Sequence, residues 1–517
     1  MRIVHNPQFT LGQVDIANIK LDPKSRDDIP AILLGLQQIY TDPELHGSIF
    51  KILEQIIPKR NGEGLTEEEH NQNVSSTQGR PGMAQWKILV LGVLRLGLNT
   101  DNDRIHDLAN NHSTIRQMLG HSDGFDDQQY SLQTIKDNLM LFTPEILDQI
   151  NQEVIKAGHQ LIKKNQKDGQ TKKEASTTDK DKIHGRCDSF VFETNVHFPT
   201  DISLLYDAVR KAINESALLA EQYGLPGWRQ SKHTIRQFKK QYRKIQKLKH
   251  STSKNEEKKQ KREEQIKQEH EQYILMAASY LARSEQLIAT LKENGAIDVE
   301  TLQLQEYLNY ITLFNDQINR RVIQGESIPH SEKVFSIFEP HTEWISKGKA
   351  GVPVELGLRV CIMVDQHQFI LHSKVMEKLT DDKVAVEMVE ETIKRFSELS
   401  SCSFDKGFHS PANQKKLKEH LDQVVLPKKG RLSKADKTRE YSEEFKAKRK
   451  KHSGVESAIN GLEQGGLDVC PDHGIDGFKR YVSLAVVSRN IKRLGTIVRQ
   501  QAQEKEDRKR GQYKKAA

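Results

Sequence analysis

Three short stretches, far apart in the chain, each place one acidic residue where phosphoryl-transfer chemistry needs it. They are RCDSFVFETNVHFPTD around Asp188, CSFDKGFHS around Asp405 and KHSGVESAINGLE around Glu456. Asp188 lies inside, and Asp405 at the end of, an apolar run with the aromatic and β-branched composition of a strand. A carboxylate buried in such a run is costly unless a cation or hydrogen bonds compensate it. Hard divalent cations prefer oxygen ligands and keep positions open for water and phosphate. Two such ions, about 3.5–4 Å apart, activate an attacking oxygen and stabilise the leaving one. The expected cofactor is therefore a pair of Mg2+ ions, replaceable by Mn2+, with Asp188, Asp405 and Glu456 as both metal ligands and catalytic residues. Each acid alone has a plainer reading: an edge-strand residue, a turn aspartate before Lys406-Gly407, and an ordinary surface glutamate on a helix. Three together, in this order, favour the joint reading.

Other polar residues near these motifs read as structural. Asp365 ends an apolar strand and reads as a hairpin residue, and Asp201 reads as the cap of a helix beginning at Ile202. His197, His409, Asp472 and His473 read as packed, exposed or loop residues. A glycine-rich phosphate loop with GKS or GKT is absent from the sequence, which excludes a P-loop NTPase.

The elements that must position the acids follow from periodicity. Residues 1–162 read as an all-α domain, with MAQWKILVLGVLRLGL as a buried helix. TDNDRIHDLANNHSTIRQMLG then forms two short helices, capped by Asp101 or Thr100 and by Ser113. Their dimensions fit a helix-turn-helix, and equally a pair that only packs together. Residues 163–182 are polar and aperiodic, the composition of a linker. Strand patterning occupies 183–201 and returns over 333–500, so the expected catalytic domain is split. Between them, 202–332 reads as a helical, coiled-coil-like insertion. Its apolar stripe Ile235, Phe238, Tyr242, Ile245 and Leu248 runs beside a basic face of Arg236, Lys240, Arg243, Lys244 and Lys247. Residues 501–517 form a basic tail.

The order is strand with Asp188, strand, strand, helix, strand with Asp405, helix, strand, helix with Glu456. It matches an α/β ribonuclease-H-like catalytic domain, a mixed sheet with flanking helices. There the first strand runs down the centre, the fourth lies beside it, and a late helix brings the third acid over both.

Composition agrees with a large nucleic-acid enzyme. The 517 residues exceed one core, and 36% apolar with 29% charged residues fits a charge-rich, mainly helical chain. Four cysteines without a CxxC spacing exclude a disulfide framework and a zinc site, leaving small buried thiols. No apolar run reaches about 18 residues and no secretory segment opens the chain, so a cytoplasmic, nucleoid-associated protein without a membrane partner is expected. The net charge of +8 is concentrated: fourteen Lys/Arg face four Asp/Glu over 232–267, and eleven face four over 428–451. Such focusing is what a polyanion-binding surface looks like, although either block alone also suits a solvated helix face.

The motifs also resemble those of bacterial insertion-sequence transposases of the DDE type, nearest the ISNCY group. The likeness extends over VLRLGLNTDNDRIHDLANNHSTIRQMLGH, RCDSFVFETNVHFPTDISLLYDAVR, SFDKGFHSPANQ and HSGVESAINGLEQGGLDVCPDHGIDGFKRYVSLAVVSRNIKRLG. The specific signature is D-(S/T)-x-V-x-x-(T/A)-N-(I/V)-H-(F/Y)-P-T-D, followed by D-K-G-(F/Y) and x-V-E-x-x-I. The resemblance makes Asp188, Asp405 and Glu456 the first, second and third catalytic acids. The wider superfamily often has Tyr and Arg before the last acid and Lys after it. Here Arg449 and His452 precede Glu456, as expected DNA contacts, and Glu463 stands at the lysine position.

The expected function is strand cleavage at element ends and strand transfer into target DNA. The partners are double-stranded DNA, as terminal repeats and target, and further copies of the chain in a homodimer or larger oligomer. The competing reading is a catalytically inactive, DNA-binding relic. A coiled-coil scaffold would explain 232–295 but not the strand-borne acids.

Overall fold

The computed structural model describes residues 2–9, 11–57, 82–122, 126–168, 182–250, 255–346 and 353–516. The chain divides into two compact units, Met1–Glu193 with Gly357–Ala517, and Thr194–Leu356.

The first unit is built on a mixed sheet. Its strands are β1 (Ile183–Thr194), β3 (Val354–Val364, which starts in the second unit), β4 (Ile370–Met376), β5 (Leu399–Phe404), β6 (Gln423–Val425) and β7 (Val469–Cys470). β1 is central, antiparallel to β3 on one side and parallel to β5 on the other. β4 extends the antiparallel side, β6 the parallel side, and β7 pairs with β1. The order β4-β3-β1-β5-β6 is compatible with the expected ribonuclease-H-like fold. Because side chains alternate along a strand, each face has its own core. Phe190 and Phe192 join Val360 and Ile362 on one face, and Cys187 joins Cys361, Met363 and Leu371 on the other. The second face is covered by α12 (Asp381–Arg395) and α13 (Pro411–His420).

The N-terminal helices are α1 (Asp28–Thr41), α2 (Pro43–Leu53), α3 (Gln85–Gly97), α4 (Asn102–Asn111), α5 (Ser113–Met118), α6 (Leu132–Leu139) and α7 (Pro144–Asp168). They do not form a compact unit of their own, contrary to the separate domain expected over 1–162. The reason is α17 (Gly474–Ala516), whose apolar residues Phe478, Val482, Val487, Ile491 and Leu494 share one core with α1, α3, α7 and the sheet. Gly35 of α1 meets the Ile491 backbone and Gly495 meets the Ala31 backbone, so the two helices cross where neither carries a side chain. Asn490 completes the joint: its Nδ2 donates to Asn151 Oδ1 of α7 at 2.6 Å and to Ile370 O of β4 at 2.9 Å.

Several local expectations change. α7 runs to Asp168, so the linker expected over 163–182 begins as helix, and 169–181 lie outside the described residues. α17 continues through the segment expected as a tail. His112, not Ser113, caps α5, its ring nitrogen accepting from Ile115 N–H at 3.4 Å. In the second unit Thr200, not Asp201, caps α8 (Asp201–Gln222), accepting from Ser203 N–H at 3.2 Å.

That second unit begins at Thr194 rather than Ile202, and it includes β2 (Glu343–Ser346). α9 (Ser231–His250) and α10 (Glu256–Glu293) run antiparallel, and α8 and α11 (Asp298–Ile318) complete their core. Phe238 of α9 stacks on Tyr273 of α10 with centroids 4.4 Å apart, and Tyr273 OH donates to Ile202 O of α8 at 3.0 Å.

Candidate active site

Strand register brings the first two acids together. β1 and β5 pair as Arg186↔Ser403 and Cys187↔Phe404, and the next residues are Asp188 and Asp405. By alternation Arg186 and Asp188 share the face of β1 that Ser403 and Asp405 share on β5. The short helix α14 (Lys434–Glu440) leads to α15 (Glu443–His452), which turns into α16 (Gly454–Gln464) above this face.

That turn is fastened to the sheet. His452 Nδ1 lies 3.0 Å from Ser403 Oγ. Gln368 Nε2, in the β3–β4 hairpin, donates to Gly454 O at 3.1 Å. A Cβ on Gly454 would stand 2.6 Å from Arg186 Nη1, so the turn lies close over the end of that side chain. Glu456 follows in the first turn of α16, exposed, as Asp405 is.

The acids form one electrostatic group. The Asp188 carboxyl is pushed up to about 6, first by burial, then by Asp405, Asp381 and Glu456, while the Ser189 N–H at 2.8 Å pulls it back. Burial also holds His452 below the ordinary histidine range, with Arg186 and Arg449 adding to the fall and Asp405 and Glu456 opposing it. Its buried Nε2 has no hydrogen-bond partner in the protein. Among the described residues, no three His, Cys, Asp or Glu side chains form a group able to hold a metal ion as they stand. The donor set of Asp188, Asp405 and Glu456 nevertheless suits a hard divalent cation. It is all oxygen, mutually repulsive and open on the Asp405 and Glu456 side.

One acid escaped the sequence reading. Asp381, in the first turn of α12, accepts from Ser189 Oγ at 2.7 Å. Two acids opening an amphipathic helix look like ordinary partners of the helix dipole, and nothing in the sequence set Asp381 apart.

The residues read as structural occupy structural positions. Asp365 is fully buried, accepting from the N–H groups of His367 and Phe369 at 2.8 Å each and lying 2.6 Å from His159 Nε2. Asp201 pairs with Arg321 at 2.8 Å, His197 lies 3.4 Å from Asp207, and Asp472 pairs with Arg95 and Arg480. The four cysteines are buried and form no disulfide. Of the expected DNA contacts, Arg236, Lys240, Arg243 and Lys247 on α9 and Arg449 on α15 are exposed. Lys244 is exposed too but engaged by Glu269 at 2.6 Å, and His452 is turned into the sheet by Ser403. Among the described residues, no helix is long and apolar enough to cross a membrane.

Residues 315–491 match the family described as Transposase DDE domain. Asp381, Asp405 and Glu456 fall within the match, and Asp188 lies before it. The match supports the reading as an insertion-sequence DDE transposase. No curated protein and no solved structure matches the chain.

Proposed function

We propose, from the match of residues 315–491 to the transposase DDE domain family, a DNA transposase of a bacterial insertion sequence, nearest the ISNCY group, that cleaves element ends and joins them to target DNA. The observation that carries this reading is the placement of Asp188 on β1 beside Asp405 at the end of the adjacent β5, with Glu456 within their electrostatic reach. Asp188, Asp405 and Glu456 would hold two Mg2+ ions, with Mn2+ as a substitute. Bound there, the ions supply activation of the attacking water or 3′-hydroxyl and charge relief at the leaving oxygen.

The remaining work belongs to the chain. Ser403 and Gln368 fix the turn that carries Glu456, so that in-line geometry is set before substrate arrives. Arg449 and the exposed cations of α9 offer phosphate contacts to double-stranded DNA, both terminal repeat and target. Joining two ends calls for at least two protomers, so a homodimer or larger oligomer forms on DNA. The place of action is the cytoplasm, at the nucleoid.

The competing reading is a DNA-binding relic that keeps these acids but has lost strand transfer. A Mg2+-dependent cleavage assay on end-bearing DNA separates the two. The transposase reading expects cleavage by the native chain and none by Asp188→Asn. Binding without cleavage by both proteins supports the relic, and equal cleavage by both rejects Asp188 as a catalytic residue.

A further inference from the structure

We infer that Asp381 is a positioning residue for both strand acids, a role that deepens the transposase reading and rests on it. Its carboxylate accepts from the residue after Asp188 and faces the turn after Asp405. Oδ1 accepts the Ser189 hydroxyl at 2.7 Å. Oδ2 would lie 2.8 Å from a Cβ built on Gly407, the middle of the 3-10 turn Lys406–Phe408 that follows Asp405.

The geometry is a clamp across the sheet. Ser189 points to the face opposite Asp188, so Asp381 holds β1 from the α12 side while the α15–α16 turn covers it from the other. Gly407 lets the carboxylate approach the β5 turn closely, because a side chain there would collide with it.

Helix capping alone does not account for this arrangement. Thr380 is the N-cap of α12 and its hydroxyl donates to Asp382 Oδ1 at 2.6 Å, so Asp382 already supplies a first-turn acid. A second acid at 381 brings negative charge toward Asp188 and raises the cost of the cluster. Its hydrogen bond leaves the helix for the central strand, where it pins the segment that must not drift. In-line transfer tolerates little drift, since misplacement by about 1 Å can cost on the order of 100-fold in rate.

The test uses the full chain with Asp381→Ala, Asp381→Asn and Ser189→Ala. Asparagine keeps an acceptor for Ser189 and removes the charge, so it isolates position from electrostatics. Hydrogen exchange of the metal-free chain over 187–190 and 404–408 reads the clamp directly. Exchange there should accelerate in Asp381→Ala and Ser189→Ala and stay near the native rate in Asp381→Asn. End cleavage should lose roughly 10- to 100-fold in kcat in the first two variants with KM for DNA unchanged, and Asp381→Asn should recover most of it. Native exchange and native kcat in Asp381→Ala would overturn the proposal. A native chain that cleaves no DNA would sink the transposase reading instead, and exchange would still decide the clamp.

Discussion

Ser403 on β5 and His452 at the end of α15 are joined side chain to side chain, Oγ to Nδ1 at 3.0 Å. The bond sits two residues before Asp405 on one element and four before Glu456 on the next, so it couples the spacing of those two acids. Removing it should loosen the turn without unfolding the sheet. Ser403→Ala is expected to lower single-turnover cleavage about 10-fold, with a stability loss of about 1 kcal/mol, the net worth of one hydrogen bond. Gly454→Ala tests the same turn from its other side, because the added methyl would displace the end of the Arg186 side chain. Unaltered cleavage in both variants would show that Glu456 does not depend on this joint.

Asp188 should trade stability for function. Its carboxyl, pushed up to about 6, lies above the ordinary aspartate value of 3.8. The metal-free native state therefore holds a proton that the unfolded chain has released between about pH 4 and 6. Stability is greatest below that window and falls as pH rises through it. Asparagine carries no charge at any pH. Asp188→Asn should thus unfold at higher denaturant than the native chain at pH 7, by up to about 3 kcal/mol, and match it near pH 4. It should cleave no DNA. Urea unfolding at the two pH values checks the sign.

The neighbouring placement of Asp188 and Asp405 was legible because a carboxylate in or at the end of an apolar strand is chemically conspicuous, and strand order then determines which strands are neighbours. The β3–β4 hairpin was equally legible: Asp-Gln-His-Gln holds the turn, with Gln368 at φ 69°. Asp381 was hidden because its real partner, Ser189, is 192 positions away, and local patterning speaks only of the helix it opens. The place of α17 was hidden for a similar reason. An apolar helix near the C-terminus announces burial but not its partner, and only the glycines at 35 and 495 record that α1 lies against it.

Those glycines carry their own prediction. Gly495→Ala would drive a methyl into the Ala31 backbone, a neighbour that cannot rotate away as a side chain could. Overpacking of this kind typically costs about 1–3 kcal/mol, occasionally more, and it should strike the joint between N-terminal helices and sheet. Gly47→Ala, at an exposed position of α2 with open space at its Cβ, is the control and should be neutral or slightly stabilising. Equal unfolding midpoints for the two variants would contradict the close crossing.

The basic face of α9 can be tested apart from catalysis. Arg236, Lys240, Arg243 and Lys247 are exposed, whereas Lys244 is paired with Glu269, so the four are the ones free to meet phosphates as they stand. Each phosphate contact releases condensed counterions and adds about 0.9 to the slope of log affinity against log salt on duplex DNA. Replacing all four by glutamine should leave the helix intact, because glutamine is nearly as good a helix former. It should reduce that slope by about 3 to 4 and weaken binding at low salt far more than at high salt. Hydrolysis of a short, saturating end substrate should change little, since none of the four lies near the acids in sequence. A slope unchanged by the substitutions would mean that this face meets only water.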